Sequence, residues 1–323
     1  MKSGSTLEKV LASGKPAVTA ELGPPMSADP HEVIKKAQML KGFCDAANIT
    51  DCQTAVVRIS SIAAAAIALQ QGLEPVMQMT CRDRNRIAMQ ADLLGGAALG
   101  LKNCLCIAGD HQSFSSAGRL KGHPGAKNVY DVDTCQLVGI MKKMRDESKQ
   151  DGGDPLEVAP KFFIGASWTP MADPIDFRPI NLMKKVNAGA DFIQTQGIYD
   201  MGLFREQMAK IRNMGLHEKT AILAGIIVPK SAMMLKYMDS SVAGVSVPKE
   251  LIDRMNRAKA AAGEDKKKMK ELQEQEGIKI TIELIHQALE TPGVRGVHIQ
   301  AIEWESAIEG IVKAAGLYPR PAV

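Results

Sequence analysis

Short apolar runs alternate with longer segments of helical period along the whole chain. The short runs are rich in β-branched residues, which is typical of buried strands. They predict eight strands, at 17–22, 45–50, 75–80, 103–109, 161–168, 191–196, 220–228 and 293–300. The longer segments repeat apolar residues every three or four positions and predict helices at 31–41, 55–71, 86–99, 132–148, 180–187, 203–213, 231–238, 249–262, a longer one ending near 289, and 306–315.

Strands that alternate with helices predict a parallel sheet of the α/β class. Eight such units fit a closed (β/α)8 TIM barrel, with extra helices before strand eight, as a single domain over residues 1–323. A glycine- and serine-rich loop at 111–128 follows the fourth strand. A doubly wound open sheet is the alternative. Its dinucleotide-binding form is disfavoured, because "ELGPPMSADP" after the first strand cannot form a GxGxxG phosphate turn.

Composition narrows the classes of function. Of the 323 residues, 45% are hydrophobic, which is enough for a large core, and the net charge is only +4. So small an excess argues against nucleic acid or an anionic membrane as a partner. No apolar run approaches the roughly 18 residues of a membrane helix. The N-terminus lacks the apolar core of a signal peptide, and a cytoplasmic protein is expected.

The cysteines predict reduced core thiols. None of the six forms a CxxC pair, which a four-thiolate metal site usually shows. Cys104 and Cys106 alternate along an apolar run and so share one face of a strand. We therefore expect no metal held by this chain alone. The six are Cys44, Cys52, Cys81, Cys104, Cys106 and Cys135.

Polar residues occupy the predicted strand ends, where a TIM barrel places its active site. Glu21 lies one residue before the end of the first strand, and Gly23 and two prolines follow it. Asp110 directly follows Gly109 after strand four. The other strand-end residues are Thr50, Asp51, Thr80, Cys81, Trp168, Gln194, Gln196, Pro229, Lys230 and Gln300. Polar residues collect at exposed strand ends in any case, but the set, with acids on strands one and four, favours a site.

A carboxyl group that is partly desolvated in such a mouth gains a raised pKa and can act as a general acid. Glu21 and Asp110 are the candidates. Two acids are also the signature of a glycosidase. That class lines its sugar groove with aromatic rings, and this chain has 2 Trp and 4 Tyr.

Six motifs in order resemble the methylenetetrahydrofolate reductase family, from about residue 15 to 315. "AELGPP" matches the end of the family's first strand, "MTCRDRN" its "LTC" segment, and "CIAGD" its Gly-Asp after strand four. "KKVNAGADFIQTQGIYD", "LAGII" and "GVSVP" match later family segments. The resemblance implies a flavin-dependent barrel that reduces 5,10-methylenetetrahydrofolate to 5-methyltetrahydrofolate or runs the reverse reaction. The flavin is FAD or FMN.

The family also implies roles for individual residues. Glu21 matches the general acid that protonates folate N10. Asp110 matches the carboxylate beside flavin and pterin, and Gln196 a glutamine that contacts the folate. The implied flavin-binding positions are Thr50, Asp51, Gln53, Gln78, Ala108, Gly109, Asp110, Trp168, Asn181, Lys184 and Lys185. Of these, Asn181, Lys184 and Lys185 match the helix that holds flavin phosphates and ribose. Without the resemblance, these three residues would be interpreted as a solvated helix end.

Several positions depart from the family. Gln78, Ala108 and Trp168 replace a common histidine, arginine and tyrosine, and a family arginine for folate aligns with Trp304. A small residue near Ala232 replaces the aromatic residue over the nicotinamide. Folate chemistry is thus expected to be kept while NAD(P)H as the electron donor is in question. Some anaerobe relatives pair with a cysteine-rich iron–sulfur subunit, so a homo- or hetero-oligomer is expected.

Two other functions stay open at this point. One is a flavin- or pterin-binding subunit that is inactive outside a larger redox complex. The other is a folate-dependent methyltransferase barrel, which binds a pterin in a similar mouth without flavin.

Overall fold

Eight parallel strands close into a barrel in the order β1-β8-β7-β6-β5-β4-β3-β2. The computed structural model describes residues 1–113 and 122–323, and between them the backbone of a hairpin, Ser115–Ser116 and Arg119–Leu120. The barrel strands are β1 (Ala17–Leu22), β2 (Ala46–Ile49), β3 (Pro75–Thr80), β4 (Asn103–Ile107), β5 (Phe163–Trp168), β6 (Phe192–Gly197), β7 (Ala221–Ile227) and β8 (Val294–Gln300). The predicted (β/α)8 TIM barrel is confirmed.

Helices surround the barrel, and three of them lie between β7 and β8 as predicted. They are α1 (Thr6–Ala12), α2 (His31–Leu40), α3 (Ser61–Gln70), α4 (Arg86–Ala98), α5 (Thr134–Glu147), α6 (Arg178–Ala188), α7 (Met201–Asn213), α8 (Leu216–Lys219), α9 (Ala232–Ser241), α10 (Lys249–Ala260), α11 (Lys266–Leu289) and α12 (Ala307–Ala314). Over the described ranges, each helix is too short or too polar to cross a membrane.

The first helix closes the bottom of the barrel. Leu7, Val10 and Leu11 of α1 are buried and pack on the inward side chains at the start of the strands. Phe163 and Phe192 stack there with their ring centroids 5.1 Å apart. The amino-terminal end of the barrel is thereby filled with apolar side chains, and the carboxyl-terminal end is left for polar ones. Helix α1 is absent from the sequence prediction.

The pleat of β1 decides which residues face the interior. Successive side chains of a strand point to opposite sides. Val18, Ala20 and Leu22 join the core between the strands and the helices. Thr19 and Glu21 alternate with them and point into the barrel, where they line or approach its open end.

Two of the predicted boundaries that differ from the structure have a clear local cause. The helix predicted at 55–71 begins at Ser61, where the Ser60 side chain caps it, and a short 3₁₀ turn, Gln53–Ala55, precedes it. The strand predicted at 103–109 ends at Ile107, because Gly109 has a φ of +87° and cannot extend a strand. The loop predicted at 111–128 contains the hairpin, and residues 114, 117, 118 and 121 of it lie outside the described residues.

Helix α11 rests directly on the end of β7. A Cβ atom on Gly277 would lie 1.8 Å from the carbonyl oxygen of Pro229. The glycine therefore permits a backbone approach that any side chain would prevent.

We expect Gly277→Ala to lower the free energy of unfolding by about 2 kcal/mol or more, because helix and strand end must separate. Gly139 lies in α5 with no atom within 4 Å of its Cβ position. Gly139→Ala is the matched control and should raise stability by about 0.5–1 kcal/mol through helix propensity. Urea unfolding followed by circular dichroism measures both, and equal effects of the two variants would contradict the packing argument.

Candidate active site

A cavity of about 420 Å³ opens at the carboxyl ends of the strands. Strands β1 to β6 and β8, or the loops directly after them, contribute to its wall. We call it the central cavity. The sequence-predicted residues that line it are Glu21, Thr50, Asp51, Gln53, Gln78, Thr80, Ala108, Gly109, Asp110, Trp168, Gln194, Gln196 and Gln300. Side chains more than 170 positions apart in the chain are thus brought to one mouth.

Glu21 lies at the end of β1, which hydrogen-bonds to β2 and β8. Its half-buried side chain borders the central cavity and a second cavity beside it. Burial raises the pKa of Glu21 to about 7; the Glu305 carboxylate adds to the increase and the Lys36 ammonium opposes it. Glu21 can therefore give up or take a proton near neutral pH, as a general acid must.

The chain after Glu21 is held by side chains from neighbouring segments. Lys36 Nζ donates to the Gly23 carbonyl oxygen at 3.1 Å, and Arg58 Nη1 donates to that of Pro24 at 3.0 Å. A Cβ atom on Gly23 would come within 3.2 Å of Gln53 Nε2. The missing side chain at Gly23 therefore leaves room for the loop after β2 to reach the first strand.

Asp110 is fixed by the loop that follows β2. The backbone N–H of Thr54 donates to Asp110 Oδ2 at 2.7 Å. The buried Arg82 guanidinium donates to the carbonyl oxygens of Asp110, at 3.0 Å, and Cys52, at 3.1 Å. The two loops are thereby clamped together, and one oxygen of the Asp110 carboxylate is held in place at the mouth.

The clamp holds an uncommon backbone. Cys52, Thr54 and Ala55 have φ values of 47°, 57° and 56°, in the left-handed region that non-glycine residues seldom adopt. Each such residue costs on the order of 1 kcal/mol. The hydrogen bonds from Thr54 to Asp110 and from Arg82 to Cys52 offset this cost, which places the strain next to the candidate site.

Asp51 lines the central cavity and is held by neighbouring protein groups. Its Oδ2 accepts from the Thr80 N–H at 2.9 Å and from the Thr80 hydroxyl at 3.0 Å. Arg84 donates to both of its carboxylate oxygens, at 2.7 and 3.2 Å. These hydrogen bonds fix the Asp51 carboxylate between β3 and Arg84, and its role at a flavin stays a prediction.

A hydrogen-bonded layer lies one step deeper in the barrel. Gln194 Nε2 donates to Asn48 Oδ1 and to Thr19 Oγ1, each at 3.1 Å, and Asn48 Nδ2 donates to Gln194 Oε1 at 2.6 Å. Thr19 Oγ1 lies 3.0 Å from His298 Nδ1. Burial lowers the pKa of His298 to about 3, so the imidazole is neutral at physiological pH. We call these four residues the amide layer.

Of the amide layer, Gln194 was predicted as a strand-end residue, whereas Thr19, Asn48 and His298 were not predicted. The sequence does contain a signal for these three residues, because side chains two positions apart on a strand point the same way. Thr19, Asn48 and His298 each stand two positions before a polar strand-end residue, namely Glu21, Thr50 and Gln300. Residues two apart on a strand share a face. Polar residues at such positions can therefore be recognised as a second layer below the mouth.

Three residues of α6 that were predicted to hold the flavin do not line the central cavity, namely Asn181, Lys184 and Lys185. Lys185 Nζ donates to the carbonyl oxygen of Ser167, and burial lowers its pKa. Lys184 stands with its Nζ 5.2 Å from the centroid of the Phe177 ring, and Asn181 is half-buried. Their role at flavin phosphates stays a prediction. Trp168 does reach the cavity, and its Nε1 donates to the Arg178 carbonyl oxygen at 2.9 Å.

The thiols lie mostly in the core. Cys44, Cys81, Cys104 and Cys106 are buried, and all six cysteines are free. Burial raises the pKa of Cys44 and of Cys81 to about 12, which keeps both protonated. No group of three or more histidine, cysteine or acidic side chains with metal-binding geometry occurs within residues 1–113 and 122–323.

The model of the methylenetetrahydrofolate reductase family matches residues 6–316. The chain belongs to this family. Methylenetetrahydrofolate reductase 1 of Schizosaccharomyces pombe is 24% identical over 249 residues, which are 76% of this chain and 36% of that protein. Methylenetetrahydrofolate reductase 2 of the same yeast is 31% identical over 249 residues, 75% of this chain and 35% of that protein. The chain thus spans about a third of the length of these relatives.

A solved structure from Clostridium thermocellum has a similar barrel. That uncharacterized protein binds two copies of 5-methyl-5,6,7,8-tetrahydrofolic acid. It aligns with a TM-score of 0.61 and 14% identity over 97% of this chain and 100% of its own. At this identity the likeness shows a shared fold, and the match of the family model is what establishes membership.

Glu21→Gln tests the environment of Glu21 without reference to any reaction. The folded protein holds the Glu21 proton up to about pH 7, whereas the unfolded chain loses it near 4.5. Wild-type stability therefore falls as the pH rises from 4.5 to 7, because the folded state must then ionise a desolvated group.

We compare the free energy of unfolding of Glu21→Gln with that of wild type at each pH. Between pH 4 and a pH above 7, this difference should shift by about 2 kcal/mol in favour of Glu21→Gln. Denaturant unfolding at pH 4, 6 and 8 measures this. Glu309→Gln, which removes an exposed acid of α12 and its ion pair with Lys313, is the control, and its difference from wild type should change much less between pH 4 and 8. A pH-independent difference for Glu21→Gln would contradict the raised pKa.

Proposed function

We propose that this chain catalyses the flavin-dependent reduction of 5,10-methylenetetrahydrofolate to 5-methyltetrahydrofolate, or the reverse reaction. The observation that carries the proposal is Glu21, a carboxyl group with a pKa of about 7 at the mouth of a barrel of this family. A donor with this pKa suits protonation of a weakly basic amine such as folate N10 at neutral pH. The clamped Asp110 supplies the negative charge that a cationic folate would need.

The groups around the central cavity fit a flavin ring. The pyrimidine edge of a flavin alternates carbonyl acceptors with an N–H donor, and the side-chain amide of Gln78 and the hydroxyl of Thr50 can meet both kinds of group. Leu105 and Ile107 give apolar surface for a ring face. A volume of about 420 Å³ lies in the range of organic-ligand sites.

The proton transfer belongs to Glu21. Glu21 protonates N10 of the folate; the bond from N10 to the methylene carbon then breaks, and its electron pair stays on N10. The product is a 5-iminium cation, which the Asp110 carboxylate stabilises because it is already oriented by the Thr54 N–H. Gln196 hydrogen-bonds the pterin. Reduced flavin, when bound, supplies the hydride that converts this cation to the 5-methyl group.

The electrons come from a ferredoxin or a cysteine-rich partner subunit in this proposal, and not from NAD(P)H bound by this chain. The support is the departure at Ala232, which is buried at the first turn of α9 and offers no ring face for a nicotinamide. Trp304 stands where family members use an arginine for folate; it packs against the hydrophobic core.

Purified protein is expected to be yellow, to release FAD or FMN on denaturation, and to oxidise 5-methyltetrahydrofolate with an artificial electron acceptor. Glu21→Gln should keep the flavin absorption and lose folate turnover by about 10²- to 10⁴-fold, the usual contribution of a general acid or base. Glu309→Gln is the control and should retain turnover. A Glu21→Gln variant with unchanged turnover would exclude the assigned role. A colourless protein that binds 5-methyltetrahydrofolate would support the methyltransferase alternative instead.

The direction of the pH dependence follows from the pKa of about 7. Reduction requires protonated Glu21, so kcat/KM for 5,10-methylenetetrahydrofolate should fall about tenfold per pH unit above 7. Oxidation of 5-methyltetrahydrofolate requires the carboxylate, so its kcat/KM should rise toward pH 7 and then level off. Reoxidation of the reduced flavin by an artificial acceptor needs no proton from Glu21 and is the control. If all three rates changed with pH in the same way, the assignment of Glu21 as the proton donor would be contradicted.

A further inference from the structure

Glu21 is open on two sides. One side is the central cavity, and the other is a cavity of about 320 Å³, here called the side cavity, between β1, α2 and the loop after β8. Its charged lining consists of Glu21, Lys36, Arg58, Glu303 and Glu305. The proposed proton donor thus meets the substrate on one face and a separate group of charges on the other.

Two of these charges form a half-buried ion pair. Lys36 Nζ lies 2.8 Å from Glu305 Oε1, and the two side chains are 19% and 9% exposed. Lys36 also donates to the Gly23 carbonyl oxygen, two residues after Glu21. One ammonium group therefore joins α2, the exit of β1 and the loop after β8, across the seam where the first and last strands meet.

Helix packing places Lys36 at this seam. Val33, Ala37 and Leu40 are the buried residues of α2. Lys36 falls in the same stripe, since positions i, i+3, i+4 and i+7 share one helix face. A lysine on an inward face needs a partner, because a desolvated charge without one is costly. Glu305, which is buried just before α12, is that partner.

The other charged groups of the side cavity are engaged or exposed. Arg58 donates to the Pro24 carbonyl oxygen, and Glu303 lies exposed on the loop after β8. The remaining pair acts on Glu21 with opposite signs: Glu305 disfavours its carboxylate form and Lys36 favours it.

The titratable groups of the central cavity are committed elsewhere. Asp51 is bound by Arg84, and Arg82 pairs with Asp83. Asp110 accepts from the Thr54 N–H. His298 in the amide layer is neutral, so it adds no charge on this side.

We propose that Lys36 and Glu305 are a positioning pair that fixes the end of β1 and sets the charge of the Glu21 carboxyl group. The inference rests on the proposed function of Glu21 as the proton donor, and it goes beyond that function by naming the residues that control the donor. Neither residue touches the central cavity, so each acts through Glu21.

The test removes one charge of the pair at a time, in the full-length protein with its flavin. Infrared difference spectroscopy follows the carbonyl band of protonated Glu21 as the pH is varied, with Glu21→Gln as the blank. Glu305→Gln removes the repelling carboxylate and frees Lys36, so the Glu21 titration midpoint should fall by about one pH unit. Lys36→Met leaves Glu305 unpaired, and the midpoint should rise by about one pH unit.

Two further variants separate charge from structure. Lys36→Arg keeps the positive charge and should keep the midpoint within about 0.3 pH unit of wild type. Glu309→Gln removes an equally charged residue on α12 and should leave the midpoint unchanged. Lys36→Met buries an unpaired carboxylate and is the variant most prone to misfold. Glu305→Gln leaves a lysine that still donates to the Gly23 carbonyl oxygen, so the fall in midpoint expected for this variant decides the question alone.

The pH limb of folate turnover should move in the same direction as the infrared midpoint in each variant. Midpoints that match wild type in Glu305→Gln would overturn the proposal. Shifted infrared midpoints together with no folate turnover in wild type would uphold the pair and overturn the proposed function. If the infrared midpoint of Glu21 shifted while the pH dependence of folate turnover stayed the same, the claim that Lys36 and Glu305 control the proton donor would be overturned.

Discussion

Every second side chain of the eight strands has to fit inside one closed barrel, and the rest of the structure follows from how that space is filled. Apolar side chains and helix α1 fill the bottom, the amide layer lies above them, and the carboxyl groups of Glu21 and Asp110 stand at the open end. This order follows the free energy of burial. Burying hydrocarbon is favourable, burying hydrogen-bonded amides has a moderate cost, and burying charges has the largest cost. The same constraint leaves Glu21 at the top of β1, where it is desolvated yet still reaches the mouth.

Two carboxyl groups share that mouth in different environments. Glu21 gains a raised pKa from burial and from the Glu305 carboxylate, whereas Asp110 accepts a backbone N–H from Thr54. A carboxyl group that exchanges its proton near neutral pH and a second one that is oriented by a backbone N–H can divide the work between proton transfer and charge stabilisation. In a barrel of the methylenetetrahydrofolate reductase family, this division supports the roles proposed for the two residues.

Much of the fold and the cavity was predictable from sequence because both depend on local patterns. Short apolar runs rich in β-branched residues located the eight strands, and strand-end polarity located Glu21, Thr50 and Asp110 at one cavity. The start of α3 was not predictable, because Cys52, Thr54 and Ala55 adopt left-handed backbone that hydrogen bonds with Arg82 and Asp110 hold. Those partners come from later strands, so no local window contains them.

The sequence by itself determined the alternation of strands and helices, the (β/α)8 fold, and the positions of acids near strand ends, since these follow from side-chain period and chain order. Only the tertiary structure decided which charges meet. It placed Lys36 against Glu305, almost 270 positions away, turned Lys185 toward a strand carbonyl, and occupied Asp51 with Arg84. The charge of a carboxyl group depends on distance and burial in space, and barrel closure sets both at once.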